Sequence, residues 1–168
     1  MILAVDVHYL EDRAIVAGVA FEDWPDEAPQ VEWVSLMEGV ADYEPGQLFK
    51  RELPGLVKLI TDYALKPACL IVDGYVFLDG HSQAGLGKHL YDALKGEVPV
   101  IGVAKKPFSD IAARYELYRG TSSKPLYVTA VGLKLEQAKE SIRRRHGPHR
   151  LPTLLKRVDQ VGREFRAG

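Results

Sequence analysis

Apolar and polar positions alternate or run together in patterns that change along the chain. Residues 2–8 open as an apolar run, Ile2 to Val5, that stops on Asp6, and they read as a first strand. Residues 13–21 place Ala14, Val16, Gly18 and Ala20 on one face. Residues 31–36 set Val31, Trp33 and Ser35 against Glu32, Val34 and Leu36. With a turn at 9–12 and an acidic, proline-containing loop at 22–29, these segments predict an antiparallel meander. Ala68 to Val72 is different: five apolar residues without alternation, ending on Asp73-Gly74. That pattern suits a central strand covered on both faces, with a carboxylate at its ligand-facing end. Residues 98–103 are a second such run and end in Ala104-Lys105-Lys106-Pro107. Residues 126–131 read as a strand from their β-branched content, and 115–118 as a short edge strand.

Helical spacing fills the intervals. Leu48, Phe49, Leu53, Leu56, Leu59 and Ile60 recur at helical positions over about 46–63. Pro54 interrupts them, so either a short turn carrying Glu52 precedes a second helix or one helix is kinked. Further helices are predicted over 84–94, over 135–146 with Gly147-Pro148 as the stop, and over 152–162, which carries Asp159.

At 168 residues, with 46% apolar and 27% charged residues, the chain has the size and balance of one globular domain over 1–168. It has no run of 18 apolar residues and no basic segment ahead of the first strand, so neither a membrane span nor a signal peptide is expected. The single cysteine, Cys69, lies inside an apolar run and reads as a buried small hydrophobe. A cytoplasmic location is the corresponding expectation. The net charge of −1 conceals an acidic first third and a basic end rich in arginine. A basic face near an acidic pocket suits a polyanion, although a solvated helix face and tail would have the same composition.

Asp6, Glu52 and Asp73 are the sharpest candidates for chemistry. Single acids at strand ends often do no more than cap a neighbouring helix. Three convergent acids repel one another unless a cation or protons offset the charge. Oxygen-only donors select Mg²⁺ or Mn²⁺, and such sites activate water in phosphodiester cleavage. Asp159 is the candidate fourth carboxylate; otherwise it pairs with Lys156 or Arg163 on its own helix. Lys105 is placed to reach a phosphate next to Asp73, whereas Lys106 reads as an exposed loop lysine. Tyr43, ahead of Pro45 and Gly46, puts a ring on a stiff turn, where it could stack on a base or simply cover the helix start. His81, Gly85, Gly87 and His89 surround a predicted helix start that could offer N–H groups to an anion. No nucleotide-binding glycine motif is present, and no organic cofactor is expected.

In order along the chain, these residues resemble the endonuclease V family. Val5-Asp6-Val7-His8-Tyr9 resembles its first strand, and Tyr43, Pro45, Gly46, Arg51, Glu52 and Pro54 resemble its tyrosine turn and following helix. Val72-Asp73-Gly74, His81, Gly85-Leu86 and His89 resemble its central strand end and loop. Ile101 to Lys106, Lys124 to Val128 and Arg150-Leu151-Pro152 complete the match. The resemblance implies an RNase H-like α/β fold: a mixed sheet of five or six strands, an antiparallel N-terminal meander and helices on both faces. It implies a Mg²⁺ centre, with Mn²⁺ able to substitute, at Asp6, Glu52, Asp73 and Asp159, with Lys105 near the scissile phosphate. Tyr43, Pro45, Gly46, Gly74, His81, Gly85 and Arg150 become the expected nucleic-acid contacts, Tyr43 as a wedge between strands. The implied reaction is hydrolysis of the second phosphodiester 3′ to inosine, in DNA or RNA, leaving 3′-hydroxyl and 5′-phosphate ends. No membrane partner is implied, and protein partners are undefined. Asp42, Tyr75, Ser82 and Gly132-Leu133 depart from the family pattern, all around the expected recognition loops. A structure-specific metal-dependent nuclease and a non-catalytic nucleic-acid-binding relative are the two competing readings.

Overall fold

A computed structural model describes residues 1–10, 13–38 and 49–167. Among them the chain forms β1 (Ile2–Leu10), β2 (Arg13–Phe21), β3 (Val31–Glu38), α1 (Phe49–Asp62), β4 (Cys69–Asp73), α2 (Leu86–Ala93) and β5 (Val100–Ala104). A 3₁₀ turn at Ala113–Tyr115 leads into β6 (Glu116–Leu117), followed by β7 (Leu126–Val131), α3 (Leu135–Arg143) and α4 (Thr153–Ala167).

One sheet takes the order β3-β2-β1-β4-β5-β7-β6. The β1-β2-β3 meander is antiparallel, β1-β4-β5 is parallel, and β7 returns antiparallel to β5. This is the mixed α/β sheet of an RNase H-like fold. Its strands number seven among the described residues rather than five or six, because the two-residue β6 pairs with β7 at the far edge.

Period-two alternation along β1 assigns its residues to two cores. Ile2 and Ala4 pack with Val158 and Val161 of α4 and with Ala138 and Ile142 of α3. Leu3, Val5 and Val7 pack with Leu56, Leu59 and Ile60 of α1 and with Leu90 of α2. Full burial of each valine, leucine or isoleucine among them contributes about 1.5–3 kcal/mol. Cys69 is one of these buried residues, and burial pushes its thiol up to about 12.

Pro54 lies inside α1 without dividing it: Phe49–Asp62 is one helix. Pro54 is on the exposed side, so its ring meets solvent rather than the packed core. At the other end of the chain, the buried Arg119 gathers the link between α3 and α4. It donates to the carbonyls of Arg145 at 2.6 Å, Gly147 at 3.1 Å, His149 at 2.7 Å and Arg150 at 3.3 Å. Four main-chain acceptors on one guanidinium fix where α4 begins. No helix among the described residues is long and apolar enough to cross a membrane.

Candidate metal centre

Parallel pairing sets the site. Val5 of β1 lies opposite Val72 of β4, so the next residue on each strand is an aspartate, Asp6 beside Asp73. Gly74 then turns the chain at φ +134°, a conformation that side chains rarely tolerate. From one face of the sheet, α1 delivers Glu52 in its first turn. From the other, α4 delivers Asp159. Asp6, Glu52 and Asp73 line one cleft with Leu56 and Leu86. Asp6, Asp73, Asp159 and Lys105 line a second, floored by Ile71, Val103 and Val158.

The individual contacts are specific. Asp6 Oδ1 accepts the Val7 N–H at 2.9 Å. The Lys105 ammonium stands 4.0 Å from Asp73 Oδ2. Asp159 is divided: Arg163 Nε approaches Oδ2 at 3.1 Å, while His8 Nε2 approaches Oδ1 at 3.3 Å. His8 Nε2 is also 3.4 Å from Asp6 Oδ2. On the α1 side, the Arg51 guanidinium lies 4.0 Å from the centre of the Tyr9 ring, and the buried Tyr9 hydroxyl sits against Glu52.

Electrostatics expose what the cluster lacks. Burial, then the charges of Asp73 and Asp159, raises Asp6 to about 7, against the opposing Val7 N–H. Burial, then Asp6 and Asp73, raises Glu52 to about 8. Asp73 is also raised, by burial first and Asp159 second, while Lys105 and His8 pull it down. Carboxyl groups that hold their protons this far above the ordinary range sit in a site short of positive charge. Among the described residues, donor atoms of Asp6, His8 and Asp159 come within 4.8 Å of one another, a set that fits a divalent cation, while Glu52 and Asp73 line the adjoining clefts.

The remaining expected residues are more scattered. Lys106 contributes its carbonyl, which accepts the Tyr75 hydroxyl at 2.6 Å, and the same hydroxyl accepts the Phe108 N–H at 3.1 Å. Tyr75 therefore ties the loop after β5, and Lys105 with it, to the end of β4. His81 stays within its own loop, its N–H donated to Asp79 and its ring 3.8 Å from that carboxylate. Gly85 precedes α2, but its N–H donates to the Val76 carbonyl and that of Gly87 to the Tyr75 carbonyl. These two N–H groups, expected to face an anion, are spent inside the loop. Arg150 is placed by its carbonyl on Arg119. Tyr43, Pro45 and Gly46 lie outside the described residues. His8 was not singled out from sequence, although its position two residues after Asp6 puts both on one side of a strand.

The family model described as Endonuclease V matches residues 1–146. The chain belongs to the endonuclease V family. Asp6, Glu52 and Asp73 fall inside that match, and Asp159 on α4 lies beyond it. An endonuclease V from Alkalilimnicola ehrlichii is 33% identical over 93 residues, which are 55% of this chain and 40% of that relative. The crystal structure of the Streptomyces avermitilis endonuclease V superposes with a TM-score of 0.79 at 25% identity, covering 99% of this chain and 81% of that one. A Ciona intestinalis endonuclease V, in complex with DNA containing an inosine followed by a ribo-adenosine, superposes at 0.78. It is 17% identical and covers 99% and 85% of the two chains, a likeness of fold.

Proposed function

We propose that this chain is a divalent-metal-dependent endonuclease that hydrolyses a phosphodiester on the 3′ side of deaminated adenine (inosine) in DNA or RNA. The observation that carries the reading is the convergence of Asp6, Glu52, Asp73 and Asp159 from four different elements onto one sheet edge, with Lys105 beside them. Membership of the endonuclease V family supports the class of reaction. The DNA held by the Ciona relative supports an inosine-containing substrate.

In this reading the four carboxylates hold Mg²⁺, for which Mn²⁺ can substitute. Bound there, the cation supplies an activated water and neutralises charge at the leaving oxygen. Lys105 binds a non-bridging oxygen of the scissile phosphate, held over Asp73 by the loop that Tyr75 secures. The apolar floor formed by Ile71, Val103 and Val158 excludes bulk water from below the acids, which strengthens every charge interaction above it. Tyr43 enters the duplex at the lesion, with Pro45 and Gly46 beside it in sequence. Gly74, His81 and Gly85 border the base on the loop after β4, and Arg150 binds backbone phosphate.

End-labelled DNA and RNA oligonucleotides with one inosine, or none, test the reading in Mg²⁺, Mn²⁺ and EDTA. A metal-dependent cut one nucleotide beyond inosine is expected, and the ratio of DNA to RNA cleavage names the polymer. Cleavage that ignores inosine would leave a structure-specific nuclease; none from folded, metal-supplied protein would leave a binding protein.

A further inference from the structure

The site holds one donor more than a carboxylate centre needs. His8 Nε2 is buried and takes no hydrogen bond, although Asp6 Oδ2 and Asp159 Oδ1 stand 3.4 and 3.3 Å away. Neither approach is aligned as a hydrogen bond, and a buried polar atom left unpaired is costly. The three donor atoms lie within 4.8 Å of one another. That spread is close to what ligands 2.0–2.2 Å from a shared ion adopt, about 4 Å across the centre.

The ring is seated by the helix opposite. Gly162 follows Asp159 by three residues and so lies on the same face of α4. A Cβ there would fall 2.9 Å from His8 Nε2, and closer still to Cδ2. Only a residue without a side chain lets the imidazole lie against α4 with its nitrogen turned to Asp159. Two separate positions, one on β1 and one on α4, thus build the same approach.

We infer that His8, Asp6 and Asp159 form a mixed nitrogen–oxygen cation position beside the all-carboxylate set of Asp6, Glu52 and Asp73, with Asp6 shared, and that it selects Mn²⁺ over Mg²⁺. The inference rests on the metal-dependent reading above and deepens it. Mg²⁺ binds carboxylate and water oxygens and sheds water reluctantly. An imidazole ligand suits first-row transition ions instead. The carboxylate position accepts either ion; the His8 position discriminates.

The test is electron paramagnetic resonance of Mn²⁺ on the whole chain, with spin-echo modulation used to detect ¹⁴N coupling. Wild-type protein is expected to bind Mn²⁺ with ¹⁴N coupling. His8→Asn, close in shape, is expected to lose the coupling and weaken Mn²⁺ binding by at least about tenfold; the lost coupling separates a direct ligand from an outer-shell effect of similar size. Mg²⁺ binding, followed by calorimetry, should stay within about twofold. Gly162→Ala, which leaves His8 present but displaced, should lose the coupling as well; circular dichroism checks that both variants fold. Mn²⁺ bound without ¹⁴N coupling, or coupling that persists in folded His8→Asn, would overturn the inference and leave the carboxylate centre intact. No Mn²⁺ bound to the wild type would overturn both.

Discussion

The hydroxyl of Thr129 accepts the Val76 N–H at 2.8 Å, across 53 residues of sequence and out of reach of solvent. It ties the chain leaving Asp73 to β7. Gly102 of β5 lies between them, so closely that a Cβ would fall 2.6 Å from the Gly74 carbonyl oxygen and 2.8 Å from Thr129 Oγ1. Thr129→Val keeps the shape and strands the buried Val76 N–H. A loss of about 1–3 kcal/mol is expected in urea unfolding, with Thr129→Ser recovering most of it. An unchanged transition would mean that Val76 finds another acceptor.

Asp73→Asn conserves volume and removes a negative charge at the half-exposed end of β4. Cleavage should fall by more than the roughly 10–100-fold typical of outer-shell changes, while circular dichroism and thermal unfolding stay close to wild type. Full activity in a folded variant would sink the metal mechanism.

Tyr75→Phe tests the tether that holds Lys105. The ring keeps its edge-on contact with Phe108, whose centroid is 6.4 Å away, but both hydrogen bonds of the hydroxyl are lost. The groups released lie near solvent, so stability should drop by only about 0.5–1.5 kcal/mol. Single-turnover cleavage should drop further, by about tenfold to 100-fold, if the ammonium loses its registry with the phosphate. Equal, small effects on both would confine Tyr75 to a structural role.

Acid and base act on this protein in opposite directions at two places. Asp6 and Glu52 hold protons to about 7 and about 8 in the fold, against 3.8 and 4.5 unperturbed. Between about pH 4 and about pH 8 the metal-free folded state therefore binds more protons than the unfolded chain. The resulting contribution is present in full below the unfolded values and is lost as pH rises through the folded ones. The slope is at most about 1.4 kcal/mol per pH unit for each proton. In EDTA the melting temperature should fall from pH 5 to pH 8, and Mg²⁺ should restore it at the upper end; a rise with pH would contradict a charge-crowded site. Glu32 is lowered through its hydrogen bond with Arg157, so its contribution instead fades at pH values below this window.

The central strands were legible because burial on both faces leaves uninterrupted apolar runs. β2 and β7 match their expected bounds, and Asp6 and Asp73 are found where such runs stop. Helix ends were less legible, for local reasons. The last helix was expected to end near 162, yet α4 continues through Gly162, which makes room for His8, to Ala167. Gly85 is extended and delays α2 to Leu86. β6 is only two residues long, too short for any periodicity to reveal with certainty of register. His8, Tyr75 and Thr129 depend on which atoms meet across the sheet, and residue spacing carries no such distances.

The placement of α4 gives this molecule an order of assembly. A chain synthesised only as far as α3 already contains every strand among the described residues, together with Asp6, Glu52, Asp73 and Lys105. It lacks Asp159, and the apolar face that Leu154, Val158 and Val161 cover is still bare. Docking of one late helix both seals that face and supplies the last acid. On the proposed reading, the centre stays one acid short until α4 covers the sheet.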